Sequence, residues 1–231
     1  MYRAGQPLLG ARLLQAAKLA APGRTAADVG CDHGKLAVYL ALAGISPKVI
    51  AVDKRPLPLA KAQALCRQTG CESRVSCRLG DGLAPLLPGE AQEIIIAGVS
   101  GETMIEILRQ APWLQSADIH LILIPASHAE RLRAWLYAEG FYLDSETPVE
   151  ENRRFYTVMS ARYAGEKKED LPPLFALLGL LPQAGGTAAR GYITRQRNYL
   201  AECLRGKTDP QEKQALQALL TEVEQCLQLL K

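Results

Sequence analysis

The sequence predicts an α/β fold, with an open, mostly parallel sheet and helices on both of its faces. Short apolar runs alternate with helix-like segments over residues 26–140, which is typical of βαβ units. The runs at 93–98 and 120–125 are almost entirely apolar, as central parallel strands are when both faces are covered. Two strand-like segments, 141–149 and 155–163, then follow, joined by a charged turn over residues 150–154. One strand near the edge of the sheet should therefore be antiparallel.

The other elements follow in chain order. Residues 7–21 have apolar side chains at helical spacing, and Pro22 and Gly23 end that helix. Residues 26–53 read as one βαβ unit, with its helix at 35–43. Further helices are predicted at 56–69, 102–110 and 129–139, and a further strand at 74–79. Together these runs predict a sheet of seven strands.

The composition changes at Ala164, where a charged stretch that ends in two prolines indicates a linker. Beyond it, residues 188–204 and 210–231 each have apolar side chains at helical spacing. Asp209, Pro210 and Glu212 resemble the capping box that begins a helix. We therefore predict a first domain over residues 1–163, and a linker with a C-terminal α-helical hairpin of coiled-coil type over 164–231.

Composition and charge set broad limits on the class of protein. Hydrophobic residues make up 48% of the chain and charged residues 22%, as in a globular protein. Polar and charged residues interrupt the first nineteen positions, so we expect no signal peptide, no membrane-spanning helix and a cytoplasmic location. The six cysteines form no C-x-x-C pair and there are only three histidines, so we expect neither a metal site nor disulfides.

The charge is unevenly distributed, although the net charge of the whole chain is only +3. Residues 1–81 carry a net charge of +7 and residues 82–164 carry −5. A basic first third is compatible with a polyanionic partner such as RNA. A polarised surface without such a partner would have the same composition, so both interpretations stay open.

A glycine-punctuated loop, GCDHG at 30–34, follows the first predicted strand. A dinucleotide-binding loop has the spacing G-x-G-x-x-G, and its middle glycine lets the backbone approach a pyrophosphate. In this chain Asp32 stands at that middle position, and its carboxylate would repel two phosphates. The same carboxylate suits a cationic ligand such as S-adenosylmethionine, which has a sulfonium and an ammonium group. A nicotinamide-dependent oxidoreductase is therefore disfavoured.

Further acidic residues follow the ends of the predicted strands. Asp53 lies 23 residues after Gly30, near the spacing expected of an acid that binds ribose hydroxyls. Asp81 follows the third strand, where it could bind an adenine amino group. Ligands of open α/β sheets bind at the carboxyl ends of the strands. The predicted ligand site therefore includes Asp28, Gly30, Asp32, Asp53 and Asp81.

Several segments of the chain resemble the bacterial tRNA (adenine(22)-N(1))-methyltransferases, the TrmK family. They are DVGCDHGKLAVYL, RLGDGL, IIIAGVSGE, LILIP, RLRAWLYAEGF and EENRRFY. The resemblance extends from about residue 8 to residue 163 and continues weakly over 177–204. The D-V-G-x-D-H-G loop is its most specific part, because most class I methyltransferases have glycine at the position of Asp32. The resemblance implies a Rossmann-like class I methyltransferase fold with S-adenosylmethionine as cofactor and tRNA as partner.

The resemblance also implies the roles of individual residues. It places Asp32 and His33 at the methyl-donating end as the catalytic residues. The S-adenosylmethionine pocket would be lined by Gly30, Cys31, Asp53, Lys54, Asp81, Gly82, Ala97 and Gly98. The chain departs from the family at Val99 and Ser100, where the family has Met-Gly, and at Asp53, where it often has Glu. The first departure could alter how the target base is seated.

The implied reaction is methyl transfer to N1 of an adenine, expected to be adenine 22 of a tRNA. The N1 atom has a lone pair that can attack the methyl carbon directly, so the enzyme's main task is to align a flipped-out base with the methyl donor. Asp32 could stabilise the positive charge of the methylated base, or accept a proton from its exocyclic amine. His33 could take part in the chemistry or only orient Asp32, and both roles stay open.

Candidate RNA-binding residues are basic positions at the start of the chain and in the first C-terminal helix. They are Arg3, Arg12, Arg190, Arg195 and Arg197. The C-terminal helices could equally form a solvated face or a dimer interface, so the protein is expected to be a monomer or a homodimer. Two other functions stay open: a catalytically silent RNA-binding module on the same fold, and a methyltransferase with a different nucleic-acid target.

Overall fold

A computed structural model of the chain describes residues 5–230. Within that range seven strands form one sheet. The strands are β1 (Ala26–Val29), β2 (Val49–Asp53), β3 (Val75–Leu79), β4 (Glu93–Ala97), β5 (His120–Ile124), β6 (Phe141–Glu151) and β7 (Arg154–Tyr163). The helices are α1 (Ala11–Leu19), α2 (Lys35–Leu42), α3 (Pro56–Thr69), α4 (Gly101–Arg109), α5 (Ala129–Ala138), α6 (Pro173–Leu178), α7 (Leu181–Ala184), α8 (Gly186–Gly206) and α9 (Pro210–Leu229). A short 3-10 turn, Pro112–Leu114, follows α4.

The strand order is β3-β2-β1-β4-β5-β7-β6. Neighbours from β3 to β5 pair in parallel, and β7 runs antiparallel to both β5 and β6. The predicted fold class is therefore confirmed, with its one antiparallel strand next to the edge. The strand order reverses between β1 and β4, which creates the crevice where such sheets bind ligands.

Alternate side chains of the central strands enter different hydrophobic cores. In β4, Ile94 and Ile96 pack with α4 and α5 on one face, whereas Ile95 packs with α1, α2 and α3 on the other. The same alternation separates Leu121 from Ile122 in β5. The apolar runs of these strands are explained by this two-sided burial. No helix within residues 5–230 is long and apolar enough to cross a membrane.

The first helix is shorter than predicted at both ends. The sequence predicted a helix over 7–21, but α1 begins at Ala11, after Gly10 in an extended conformation. The carboxylate of Glu151 in β6 accepts the backbone N–H of Arg12 at 3.1 Å and pairs with its Nε at 3.2 Å. A residue distant in sequence thus satisfies a donor of the first turn, which local spacing could not reveal.

The β6–β7 connection is also tighter than predicted. The sequence predicted a charged turn over residues 150–154, but β6 extends to Glu151 and β7 begins at Arg154. The two connecting residues, Asn152 and Arg153, have φ values of +52° and +60°. Positive φ at both central residues is what a type I′ hairpin turn requires.

The C-terminal helices form a third hydrophobic core that includes Leu178, Ile193 and Val223. Two helices in this region, α6 and α7, were not predicted. Asp209 accepts the backbone N–H of Glu212 at 2.8 Å, so the predicted start of α9 is confirmed. Phe155 of β7 packs against the third core, which joins these helices to the sheet. The predicted domain boundary at residue 164 stays a prediction.

A buried ion pair fastens the C-terminal segment to the sheet. Arg133 of α5 and Glu146 of β6 are fully buried and lie 2.7 Å apart. The Arg133 guanidinium also donates to the carbonyl oxygens of Ala176 and Leu177, at the end of α6. Glu146 also accepts the backbone N–H of Leu180 at 2.8 Å. The pair therefore binds helix, strand and C-terminal segment at one point.

We predict that Arg133→Met lowers the free energy of unfolding by roughly 3–5 kcal/mol, because Glu146 would remain buried without its cation. The double variant Arg133→Met/Glu146→Leu should recover part of this loss, since no unpaired charge remains in it. Denaturant titration of both variants measures the effect. The control Arg131→Met removes an exposed arginine from the same helix and should change stability by about 0.5 kcal/mol or less. Equal losses for Arg131→Met and Arg133→Met would contradict the prediction.

Candidate active site

A cavity of about 590 Å³ lies at the carboxyl ends of β1, β2, β3 and β4. This volume is within the range of small-molecule sites, roughly 300–1,000 Å³. Each strand contributes residues at or just after its end. They include Gly30 after β1, Asp53 and Lys54 at the end of β2, Asp81 and Gly82 after β3, and Ala97 and Gly98 at the end of β4. The cavity therefore occupies the crevice that the strand order creates.

Seven of the eight residues predicted to bind the cofactor line this cavity, and Cys31 does not. Cys31 instead lines an adjoining cavity of about 180 Å³, which also contains His33. Asp32 lines both cavities. Burial and the nearby carboxylate of Asp28 raise the pKa of the Cys31 thiol, so this thiol stays protonated.

The Asp53 carboxylate joins the loop after β1 to the loop after β2. Its Oδ2 accepts the backbone N–H of Asp32 at 3.0 Å, and its Oδ1 accepts that of Arg55 at 2.9 Å. The side chain is 3% exposed. Each carboxylate oxygen has more than one acceptor direction, so Asp53 can accept these bonds and still bind a hydroxyl group.

Asp32 has an unusual backbone conformation, with φ at +50°. Among residues other than glycine, aspartate and asparagine are the ones that tolerate this left-handed region best. Its side chain is 55% exposed, with Oδ2 3.4 Å from Nε2 of His33 and Oδ1 3.4 Å from Nη2 of Arg55. The Asp32 carboxylate therefore lies within reach of a histidine and an arginine at the junction of the two cavities.

The two predicted pocket residues Lys54 and Asp81 face each other, with Nζ and Oδ1 3.7 Å apart. Both side chains are largely exposed, so this ion pair contributes little to stability and can open for a ligand. Gly30 and Gly98 both have positive φ, and a Cβ atom at Gly30 would project into open space. Glycine at these two positions keeps the backbone accessible from the cavity.

Asp28 is a buried carboxyl group beside the smaller cavity. Its Oδ2 has no hydrogen-bond partner among residues 5–230. Burial, together with the charges of Asp53 and Asp32, raises the pKa of Asp28 to about 7, although the N–H of Ala37 acts in the opposite direction. The unsatisfied oxygen, near the carboxylates of Asp53 and Asp32, fits a site that takes up a cationic ligand, and such a ligand would lower the pKa of Asp28 again.

Arg55 is a residue of this site that sequence reasoning missed. Its guanidinium lies between two carboxylates, 3.3 Å from Oδ1 of Asp53 and 3.4 Å from Oδ1 of Asp32. The sequence feature that could have indicated it is its position directly after the predicted pocket residue Lys54.

Val99 and Ser100, where the chain departs from the family sequence, also have structural roles. Val99 lines the cavity, and the Ser100 hydroxyl accepts the N–H of Thr103 at the start of α4.

The structure brings two of the predicted RNA-binding residues together and separates the others. Arg3 lies outside the described residues. Arg12 and Arg195 line one cavity beside the β6–β7 hairpin, where Arg195 of α8 donates to the carbonyl oxygen of Phe155. Arg190 donates to the carbonyl oxygens of Leu227 and Leu230 at the end of α9. Arg197 is half-buried, with no partner for its Nε among residues 5–230.

The other two histidines lie away from the large cavity. His128 is the N-cap residue of α5. His120 is buried at the start of β5, between Glu93 and Ser160 at 2.7 Å each. Within residues 5–230, no three His, Cys, Asp or Glu side chains lie close enough together to hold a metal ion.

The fold and the cavity define a Rossmann-like domain of the class I methyltransferase type. A family model described as "Methyltransferase domain" matches residues 9–159. The tRNA (adenine(22)-N(1))-methyltransferase of Bacillus subtilis is 35% identical over 159 residues, which are 69% of this chain and 66% of that relative. The chain belongs to the class I methyltransferases of the TrmK type, so the predicted family is confirmed.

Two solved structures share nearly the whole fold. The B. subtilis tRNA methyltransferase TrmK has a TM-score of 0.83 at 27% identity, over 95% of this chain and 99% of that chain. Streptococcus pneumoniae Sp1610, solved in complex with S-adenosyl-L-methionine, has a TM-score of 0.83 at 26% identity, over 95% of this chain and 100% of that chain. The C-terminal helices are therefore shared with these structures.

We predict that Asp28 makes folding stability depend on pH in the cofactor-free protein. The folded-state pKa of about 7 lies above the ordinary value of 3.8, so between these values the folded protein binds a proton that the unfolded chain does not. Stability relative to Asp28→Asn should therefore fall as the pH rises from 4 to 7, by on the order of 1.4 kcal/mol per pH unit. Denaturant titrations at several pH values measure this slope. The exposed control Asp170→Asn should match the wild type, and a flat difference for Asp28→Asn would contradict the assignment.

Proposed function

We propose that this chain transfers a methyl group from S-adenosylmethionine to N1 of an adenine in tRNA, expected to be adenine 22. The observation that carries the proposal is the position of Asp32, a carboxylate at the junction of the two cavities where a dinucleotide-binding loop would have glycine. The names of the B. subtilis relatives and the ligand of the S. pneumoniae protein support the same activity and cofactor. Transfer RNA is the partner, and a cytoplasmic location accords with that substrate.

The residues proposed to hold the cofactor are the predicted set around the large cavity, with Arg55 added. The Asp53 carboxylate would accept hydrogen bonds from the ribose hydroxyls, and Asp81 would bind the adenine amino group. Gly30 and Gly98 would let the backbone approach the ligand. Asp28 and Asp32 would face its cationic end, which accords with the unsatisfied oxygen of Asp28. Cys31 would contribute through its backbone, because its side chain is buried.

When it is bound, S-adenosylmethionine supplies an electrophilic methyl group. The chain's own residues then have two tasks, to align the target base with this methyl group and to stabilise the positive charge that develops on the base. Asp32 would stabilise the charge of the methylated base or accept the proton of its exocyclic amine. His33, whose Nε2 lies 3.4 Å from Oδ2 of Asp32, would orient that carboxylate. Asp53 would hold the Asp32 backbone in place through the Asp32 N–H.

The activity is tested by mass spectrometry of nucleosides from unmodified tRNA that has been incubated with the protein and labelled cofactor. We expect labelled 1-methyladenosine, and its location in the tRNA identifies the target adenine. Calorimetry with S-adenosylmethionine should show binding. A silent RNA-binding module would retain tRNA without turnover, and a methylated base other than 1-methyladenosine would overturn the substrate while leaving the fold unaffected.

We predict different defects for two carboxylates of the site. Asp32→Asn keeps a residue that tolerates positive φ but removes the charge, so methyl transfer at saturating cofactor should fall roughly hundredfold or more. Cofactor affinity should fall less than in Asp53→Ala, because Asp28 still faces the cationic end. Asp53→Ala removes hydrogen bonds to an ionised group, so cofactor affinity should fall roughly tenfold or more. Calorimetry and single-turnover rates at saturating cofactor separate the two effects. Small and equal effects of both substitutions would contradict this division of roles.

A further inference from the structure

A second cavity, of about 650 Å³, adjoins the candidate cofactor cavity at the tip of the β6–β7 hairpin. Arg12 and Gly98 line both cavities. We call this second cavity the arginine groove, because four of its lining residues are arginines. Its defining residues are Arg12, Arg153, Arg154, Phe155, Tyr156 and Arg195. The groove therefore begins where the candidate cofactor site ends.

The lining of the groove includes four arginines and no acidic residue. Arg12 is paired with Glu151, with Nε and Oε1 3.2 Å apart. Arg153 and Arg154 are exposed, and neither has an ion-pair or side-chain hydrogen-bond partner within residues 5–230. Arg195 is exposed and donates only to the carbonyl oxygen of Phe155 in the same part of the chain. Three guanidinium groups are thus uncompensated by acids of the described fold, which fits a polyanionic ligand.

The backbone conformation of the hairpin turn indicates that Arg153 does not stabilise the folded protein. Its φ of +60° lies in the left-handed region, where glycine is favoured at the second position of such turns. An arginine at this position costs about 1 kcal/mol relative to glycine. Its side chain gains no partner in exchange within the described chain. Strain without an internal contact is typical of functional positions.

Three contacts, one with α1 and two with α8, fix the hairpin tip in place. The Arg12 guanidinium of α1 lies over the Tyr156 ring, 5.3 Å from its centroid. The Phe155 ring packs so closely against Gly191 of α8 that a Cβ atom there would collide with it. Arg195 of α8 donates to the Phe155 carbonyl oxygen at 3.3 Å. The groove is therefore preorganised, and α8 forms one of its walls.

We propose that the arginine groove binds the phosphates of the RNA backbone next to the target adenosine. This inference rests on the proposed function, which requires a base to reach the cavity while its strand stays outside. Guanidinium groups bind phosphate oxygens through paired hydrogen bonds, and phosphate contacts set the register of a nucleic acid. The groove shares two residues with the cofactor cavity, so a strand bound there is adjacent to the methyl donor.

The decisive variant is Arg153→Gly, because stability and RNA binding should respond in opposite directions. Glycine relieves the strain at positive φ, so thermal stability should be equal to or greater than that of the wild type. Loss of a phosphate contact should raise the Kd for unmodified tRNA about three- to tenfold and reduce the salt dependence of log K by about one. Fluorescence anisotropy with labelled tRNA at several KCl concentrations measures both quantities.

Two controls accompany this variant. Asn152→Gly relieves the same kind of strain in the same turn without removing a charge, so tRNA affinity should stay unchanged. Lys61→Gln removes an exposed positive charge from α3, which packs beside β2 and β3 at the other end of the strand order from β6 and β7, and should leave both affinity and salt slope unchanged. The double variant Arg153→Gly/Arg154→Gln should lower affinity further and reduce the salt slope by about two. Cofactor binding by calorimetry should be the same in all four variants.

Each outcome separates the groove from the proposed function. Unchanged tRNA affinity in the double variant, with an active wild type, overturns the groove while the function stands. A fall in tRNA affinity without a change in the salt dependence of log K also overturns the proposed role of the groove, because the lost contact would then not be one with a phosphate. Equal competition by polyglutamate would indicate an acidic protein partner instead. If the wild type binds tRNA but forms no methylated base, the function fails and anisotropy still tests the groove.

Discussion

The Asp53 carboxylate is the interaction on which the candidate site depends. It accepts the backbone N–H groups of Asp32 and Arg55, and so joins the loops that follow β1 and β2. Because β1 and β2 pair in register, with Val29 beside Val52, the two loops start from adjacent positions at one edge of the sheet. The carboxylate then holds Asp32 in its left-handed conformation between two cavities. Sheet register and one buried acid thus locate the proposed catalytic group.

The sequence predicted the sheet and most of the cavity for the same physical reason. Parallel strands end at one edge, so residues after each apolar run had to converge there. Cys31 differs because its side chain is buried in the core that α1, α2 and α3 form on one face of the sheet. Arg55 was missed because a charged residue that follows a strand is usually exposed to solvent and has no specific role. The helix predicted at 7–21 is present but spans only Ala11–Leu19, and at its start Glu151, far along the chain, accepts the backbone N–H of Arg12.

The attachment of the C-terminal segment could not be predicted from local pattern. Arg133 lies in a helix that reads as amphipathic, and Glu146 lies in a strand with alternating exposure. Nothing in the sequence pairs them, yet both are fully buried and together bind the carbonyl and N–H groups around α6. A buried ion pair of this kind gives little net stability but fixes geometry. Through it α8 keeps its place beside Phe155 and the hairpin.

Under the proposed function, the site must bring a cationic cofactor and a polyanionic substrate together. The cavity has carboxylates at Asp32, Asp53 and Asp81, whereas the neighbouring groove is lined by arginines. Arg12 lines both the cavity and the groove, and an unpaired guanidinium there would repel a sulfonium. Glu151 pairs with Arg12 and so neutralises its charge toward the cavity, while the planar group remains packed on Tyr156. Glu151 also accepts the backbone N–H of Arg12 in the first turn of α1. The fold itself therefore sets the boundary between the acidic cavity and the arginine groove.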